Sequence, residues 1–136
     1  MSIDGFEEQT APLSDEERKY IPYIIIGLSK YRGPDQTVKT DAICKGLNAL
    51  NEKKNIAACT MTPGRLRKCI NSIRRSGELN FIIGTNQGYF IATDRAVVMR
   101  EIESLEQRAA AIQAVADRMR DFLNDAGAAK QTSLNI

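Results

Sequence analysis

The sequence predicts a mainly α-helical fold with a small β-hairpin, followed by a long C-terminal helix. Three observations carry this prediction: three segments bounded by helix start and stop signals, two β-rich segments around a glycine-containing loop, and an unbroken heptad pattern near the C-terminus. The order of helix, possible strand, helix, helix and hairpin is that of a winged helix-turn-helix. We therefore predict a winged-helix domain over residues 14–93 and a long helix over 94–125, between a loose acidic tail at 1–13 and a polar tail at 126–136.

Length and composition fit one domain with an appendage. The chain has 136 residues, of which 43% are hydrophobic and 26% are charged, and this is enough apolar material for a packed core. No apolar run approaches the roughly 18 residues of a membrane span. The first four residues lack the basic and apolar features of a secretion signal, so we expect a cytoplasmic protein with no membrane partner.

Cysteine, histidine and motif content argue against a metal site and against catalysis. The chain has no histidine, and no C-x-x-C spacing occurs among its three cysteines, Cys44, Cys59 and Cys69. Free, partly buried thiols are therefore a simpler prediction than a zinc site. The commonest general base of enzymes is absent, and no nucleophile elbow, P-loop or dinucleotide-binding motif is present. We expect no enzyme activity, no cofactor and no small-molecule effector.

Two helices are predicted in the first half of the chain. Ser14 and Glu17 form a capping box for a helix that runs to about residue 31, and Pro22 should kink this helix or split off its first turn. A loop at 32–35 and a possible short strand at 37–39 follow. Thr40 is the predicted N-cap of a second helix over 41–51, and a connection over 51–61 leads to the third. The predicted buried positions are Tyr20, Ile24, Leu28 and Tyr31 in the first helix, and Ile43, Leu47 and Leu50 in the second.

The third helix, residues 62–77, is called the basic helix here because it contains five basic residues and no acidic one. Thr62 as N-cap, Pro63 in the first turn and Gly77 after the last turn mark its ends. The whole chain has a formal net charge of only +2, so the positive charge is local. One face is apolar, with Leu66, Cys69, Ile70 and Ile73. The opposite face and its flanks hold Gly64, Arg65, Arg67, Lys68, Asn71, Ser72, Arg74 and Arg75. Such a face suits a recognition helix, because Arg and Lys bind phosphates or guanine edges and Asn can pair with adenine.

A β-hairpin is predicted after the basic helix. Its strands are expected at 79–83 and 89–92, around a five-residue loop at 84–88. The loop tip, which includes Asn86 and Gln87, is polar and uncharged and would reach a phosphate or a minor-groove edge. The ring of Tyr89 is expected to pack on the basic helix, which is a structural role rather than a nucleic-acid contact.

The basic helix and the hairpin together resemble a known family. Residues 67–77 (RKCINSIRRSG), a strand that ends in Ile82-Ile83, and residues 88–92 (GYFIA) are similar to small winged-helix proteins of bacteriophages and prophages. They also resemble the N-terminal DNA-binding domain of the biotin-operon repressor. The resemblance spans roughly residues 15–123, and its distinctive part is 62–92. It implies DNA binding, with the wing tip assisting, through Thr62, Arg65, Arg67, Lys68, Asn71, Ser72 and Arg75.

Asp94 is the predicted cap of a last helix that continues to about Asn124. Its apolar positions follow an unbroken heptad spacing at Val98, Ile102, Leu105, Ala109, Ile112, Ala116, Met119 and Leu123. An isolated helix would leave this seam in water, so we expect self-association, most simply as a dimer. The alternative is that the helix folds back on its own domain. In a parallel pair Glu101 would face Glu106 of the partner, which favours an antiparallel pair or a small bundle and leaves the geometry open.

The leading functional prediction is a regulatory protein that binds double-stranded DNA and acts on transcription or phage replication. Two copies would present their basic helices to successive major grooves, where Lys68, Asn71 and Arg75 read bases. The alternative is a protein-interaction module in which the winged helix is a scaffold and the long helix docks into a partner. An RNA-binding adaptor is a third alternative, although exposed aromatic residues for stacking are scarce.

Overall fold

A computed structural model describes residues 11–125, and the chain separates into one unit up to Val97 and another from Val98. Residues 1–10 of the predicted first tail, 1–13, and the whole of the predicted second tail, 126–136, lie outside the described residues. Leu13, within the predicted first tail, packs against the core of the first unit. The prediction of a mainly helical fold with a small hairpin and a long C-terminal helix is confirmed.

The first predicted helix is two helices. Helix α1 spans Asp15–Arg18 and α2 spans Ile21–Leu28. The capping box is present: the Ser14 hydroxyl accepts from the Glu17 amide at 3.1 Å, and the Glu17 carboxylate accepts from the Ser14 amide at 2.9 Å. Pro22 lies at the second position of α2, where a missing amide costs little, so it splits off the first turn as predicted.

The predicted extension of the first helix to Tyr31 is wrong, because α2 ends at Leu28 and Tyr31 is exposed. The chain turns here to pair with the hairpin. The Tyr31 carbonyl accepts from the Ile91 amide, and the Gly33 amide donates to the Ile91 carbonyl, both at 2.7 Å. A short 3₁₀ turn at Pro34–Gln36 follows and begins within the predicted loop at 32–35.

Helix α3 spans Thr40–Lys54, which is longer than the predicted 41–51. The N-cap is Lys39, which makes no side-chain cap hydrogen bond, so the assignment of Thr40 as N-cap is wrong. Lys39 is extended because the preceding residue pairs with the hairpin. At the other end, Asn55 takes a left-handed conformation and ends the helix. The connection to the next helix is therefore shorter than predicted.

The basic helix is α4, Pro63–Ser76, and its predicted ends are confirmed. The Thr62 hydroxyl accepts from the Arg65 amide at 3.2 Å, and Gly77 closes the helix with φ at +76°. Two asparagines of α3 hold the connection that leads into it. Asn48 makes two hydrogen bonds to the Met61 backbone, at 2.7 and 3.0 Å, and Asn51 accepts from the Ala57 amide at 2.8 Å.

The hairpin is formed by β1, Ile82–Thr85, and β2, Gly88–Ile91, paired antiparallel with Ile82 opposite Ile91. The predicted strands are shifted. β1 does not begin at residue 79, because Phe81 has a positive φ of 67° and takes the chain out of the strand conformation. Two residues, not five, form the turn. The predicted strand at 37–39 is reduced to one bridge between Val38 and Tyr89.

The core of the first unit lies where α2, α3, the basic helix and the hairpin meet. Tyr20 is fully buried, and its hydroxyl donates to the Cys59 carbonyl at 2.6 Å. The largest buried side chains are Tyr20, Ile24, Leu28, Leu66, Ile73, Ile82 and Cys69. This element order and the hairpin that follows the basic helix make the unit a winged helix-turn-helix.

Helix α5 spans Arg95–Asn124, and its residues from Val98 onward belong to the second unit. Its start is confirmed, since the Asp94 carboxylate accepts from the Ala96 amide at 2.9 Å. None of its residues is buried. Six positions of the predicted seam are exposed, and Val98 and Ala116 are partly buried.

Candidate nucleic-acid interface

The basic helix is anchored by its apolar face. Leu66, Cys69 and Ile73 are fully buried and Ile70 is 2% exposed. Because these four positions define one side of the helix, the residues opposite them lie at the surface. The predicted apolar face is therefore the buried one, and the polar face is the accessible one.

The structure distributes the predicted DNA-contacting residues over the accessible side. Thr62 and Arg75 are exposed, while Arg65, Arg67, Lys68, Asn71 and Ser72 are partly buried. Arg74, on a flank, is also partly buried. The wing-tip residues Asn86 and Gln87 are exposed in the turn between the two strands. Six of the predicted residues thus lie in the basic helix, Thr62 is its N-cap, and two occupy the hairpin turn.

Two of the basic side chains lie against a carboxylate from α1. The Lys68 ammonium lies 3.0 Å from Glu17 Oε2, and Arg65 Nε lies 3.6 Å from the same oxygen. The Lys68 side chain is only 19% exposed. The Arg65 guanidinium also donates to the Thr60 carbonyl at 2.9 Å. Lys68, predicted as an open base-reading residue, is therefore held in an ion pair.

Glu17 is a residue whose second role the sequence did not reveal. Its place in the capping box was predicted, but its contact with Lys68 was not. The residue is 4% exposed, and burial alone would raise the pKa of its carboxyl. Hydrogen bonds from Ser14 and the Lys68 ammonium outweigh burial, so the pKa lies below its ordinary value. At neutral pH a buried carboxylate thus faces the two cations.

A shallow concavity of about 580 Å³ lies beside this ion pair. It separates the start of α1 from the first turn of the basic helix. It combines an acid, two bases and a helix N-terminus, so its charge is mixed. Its lining consists of Ala11, Ser14, Glu17, Cys59, Thr62, Gly64, Arg65 and Lys68.

The wing is fixed by a close backbone contact. Val38 and Tyr89 exchange two backbone hydrogen bonds, at 2.8 and 2.9 Å. Gly88 has a φ of +143°, and a Cβ there would lie 1.9 Å from the Val38 carbonyl oxygen. Only glycine satisfies both the conformation and the space. The segment at residue 38 is thereby held against β2, beside the two-residue turn.

Tyr89 lies within the electrostatic reach of two arginines of the basic helix. Burial raises the pKa of its hydroxyl, and the charges of Arg67 and Arg74 act in the opposite direction. Its ring also covers Gly84 on the opposite strand, since a Cβ there would lie 3.2 Å from Cε1. The packing role predicted for Tyr89 fits this position, since Tyr89 packs against the buried core to which the apolar face of the basic helix belongs.

All three cysteines are free thiols, as predicted. Burial raises the pKa of Cys44, and it raises the pKa of Cys69 to about 12. Cys59 is partly exposed. Among residues 11–125, no three side chains of His, Cys, Asp or Glu come together as a metal site would require.

No helix in the described part of the chain combines the length and the apolar character needed to cross a membrane. Neither a protein-family model nor a curated protein nor a solved structure matches this chain.

Proposed function

We propose that this chain binds double-stranded DNA through the basic helix, as a regulatory protein that acts on transcription or phage replication. The observation that carries the proposal is an accessible helix face with five basic residues and no acidic residue of its own, anchored by four buried apolar side chains. In a winged-helix protein that binds DNA, the third helix is expected to supply most of the positive charge that faces the phosphates. The resemblance to phage winged-helix proteins points in the same direction.

The proposed contacts follow from the position of each side chain. Arg75 is exposed and Asn71 lies one helical turn earlier on the outward face, so these two residues would read base edges in the major groove. Arg67 and Arg74, on the wing side, would contact phosphates. Lys68 would reach DNA only by leaving Glu17. The wing tip at Asn86 and Gln87 would approach the adjacent backbone or minor groove.

Self-association through α5 completes the proposal. Two copies would present two basic helices to one duplex, as dimeric winged-helix proteins do when they read half-sites one helical turn apart. We propose residues 98–123 of α5 as the contact between copies, because they carry an apolar seam and none of them is buried.

The test is fluorescence anisotropy of a labelled duplex titrated over a range of salt concentrations. The Arg74→Ala/Arg75→Ala variant is compared with Arg100→Ala/Arg118→Ala, which removes two exposed arginines from α5 outside the seam. We expect the first variant to bind more weakly, because the base contact of Arg75 is lost, and to reduce the slope of log affinity against log salt by about 1, for the lost phosphate contact of Arg74. The control variant should keep the wild-type slope.

Two results would contradict the proposal. The wild-type protein would show no duplex binding even at low salt, or both double variants would weaken binding equally. In the first case the protein-interaction alternative becomes the better explanation. The observation that favours that alternative is the same accessible seam of α5, which would then dock into a different protein.

A further inference from the structure

The apolar seam of α5 is continuous and accessible over nearly four heptads. Val98 is partly buried, and the exposure of the large side chains that follow ranges from 40% at Ile102 to 65% at Met119. A surface helix with this much accessible apolar area is stabilised by covering the seam.

The order of large and small residues in the seam is suited to an antiparallel copy of itself. The spacings of 4, 3, 4, 3, 4, 3 and 4 residues read identically from either end. A two-fold axis between residues 110 and 111 therefore aligns all eight positions without a shift in register. The facing pairs would be Val98 with Leu123, Ile102 with Met119, Leu105 with Ala116, and Ala109 with Ile112.

Side-chain volume distinguishes this arrangement from a parallel one. In the antiparallel pair, Ala109 faces Ile112 of the partner and Ala116 faces the partner's Leu105, so every small residue is opposite a large one. In a parallel pair each alanine would face its own copy. Thin Ala–Ala layers would then alternate with thick Leu–Leu and Ile–Ile layers, which two straight helices pack poorly.

The flanking charges favour the same direction. A parallel pair places Glu101 beside the partner's Glu106, twice per dimer. In the antiparallel pair Glu106 lies beside the partner's Gln113, and the flanking positions bring no like charges together. Glu101 already has a cation of its own chain, since its carboxylate lies 3.3 Å from the Arg108 guanidinium.

We propose that the occupant of the seam is a second copy of this chain, in an antiparallel pair centred between residues 110 and 111. Val98 and Leu123 are 25 positions apart, so the two Val98 residues would lie about 38 Å apart along the helices. This separation is close to the roughly 34–36 Å between half-sites one turn apart on DNA. The association rests on the seam alone, whereas its relation to half-site spacing rests on the proposed DNA binding.

Disulfide cross-linking of the full chain tests the direction. One variant carries Leu105→Cys, a second carries Ala116→Cys, and both carry Cys59→Ala to remove the accessible native thiol. In the antiparallel pair the two copies of either position are 11 residues apart, or about 16 Å, which is too far for a disulfide. We therefore expect cross-linked dimer only when the two variants are mixed in a glutathione redox buffer.

A matched control uses Gln107→Cys mixed with Ala114→Cys. These positions lie at the same level along the antiparallel pair but on the outer side, so no cross-link is expected. Cross-linking of each seam variant alone would show a parallel pair and overturn the proposal. Absence of cross-linking in the mixture would overturn it as well.

Sedimentation equilibrium without DNA separates this proposal from the proposed function. We expect a dimer for the wild type, a monomer for Ile112→Asp, and a dimer for Ala114→Asp, which places the same charge on the outer side. A wild-type monomer that still binds duplex would refute the pairing and leave DNA binding intact. A cross-linked antiparallel dimer that binds no duplex would support the pairing and refute the proposed DNA binding.

Discussion

Replacing Glu17 by glutamine should destabilise the protein by more than its position in a four-residue helix suggests. Glutamine keeps an oxygen that accepts from the Ser14 amide, so the capping box survives, but the negative charge opposite Lys68 is lost. A hydrogen bond to a charged partner contributes about 1.5–3 kcal/mol. The 3.0 Å contact and the 4% exposure of Glu17 place this pair near the middle of that range. The Lys68 ammonium retains some access to water, which limits the cost.

We therefore expect Glu17→Gln to lower the free energy of unfolding by about 2 kcal/mol at pH 7. For a domain of this size, that corresponds to a fall in Tm of roughly 8–16 °C. Urea unfolding followed by circular dichroism measures the effect, at one protein concentration for all variants. Glu16→Gln is the matched control, because Glu16 pairs with Lys19 at 2.7 Å on the surface, and glutamine keeps an oxygen that can accept from the Ala58 amide as Glu16 does at 2.6 Å.

A double-mutant cycle with Lys68→Met assigns the effect to the pair. The two single variants and the double variant should reveal a coupling of about 1–2 kcal/mol between Glu17 and Lys68.

The pH dependence of the free energy of unfolding provides a second check. Because the pKa of Glu17 lies below its ordinary value of 4.5, its contribution is complete above that pH and is lost as the pH falls through the folded pKa. Equal unfolding midpoints for Glu17→Gln and Glu16→Gln at pH 7, or zero coupling, would refute the reasoning.

Two further predictions test the wing and the thiols. Gly88→Ala should destabilise the folded protein by about 3 kcal/mol or more, because the new Cβ would meet the Val38 carbonyl and residue 88 has a positive φ. Gly46→Ala, in α3 with open space around it, should instead stabilise the folded protein by about 0.5–1 kcal/mol. Urea unfolding measures the change in the free energy of unfolding for both variants, and equal changes would contradict the reasoning. Titration of the folded protein with a thiol reagent should modify Cys59 alone, since burial disfavours the thiolates of the other two. Modification of all three at equal rates would contradict the burial argument.

Signals that act over a few residues were readable from the sequence. The capping box at Ser14, the Thr62 N-cap, Gly77 after the basic helix and the Asp94 cap each depend on a hydrogen bond or conformation within three or four positions. The split at Pro22 has the same local origin. Because residue type alone sets these interactions, the ends of the basic helix and the start of α5 could be placed correctly.

The errors share a different origin, which is pairing between distant segments. α2 stops before Tyr31 because the next backbone groups bond to Ile91, and Lys39 caps α3 because Val38 is paired with β2. No local pattern announces either contact. The positive φ of Phe81 is likewise outside what residue type predicts, since bulky side chains rarely adopt it. The positions of strands and helix ends near the hairpin therefore required the tertiary structure.

In the candidate site, too, the local features could be predicted from the sequence and the contacts between distant residues could not. The helical period correctly separated the buried face of the basic helix from its accessible face. It could not show that Lys68 and Arg65 face an acid that lies about fifty residues earlier in the chain. Counting charges along the segment therefore overstates its free positive charge, because Glu17 compensates part of it.

That compensation has a consequence for DNA binding, if the proposed function holds. With Glu17 ionised, the positive charges of Lys68 and Arg65 are partly compensated, and the exposed positive charge of the basic helix lies at Arg75. Glu17→Gln would release Lys68 and remove a negative charge near the phosphates. The variant should bind duplex more tightly at low salt and steepen the salt slope by about 1, although it folds less stably. Anisotropy at a temperature where both proteins are folded measures this. Weaker binding by the variant would show that Glu17 mainly positions the basic helix, and that its charge does not restrain Lys68.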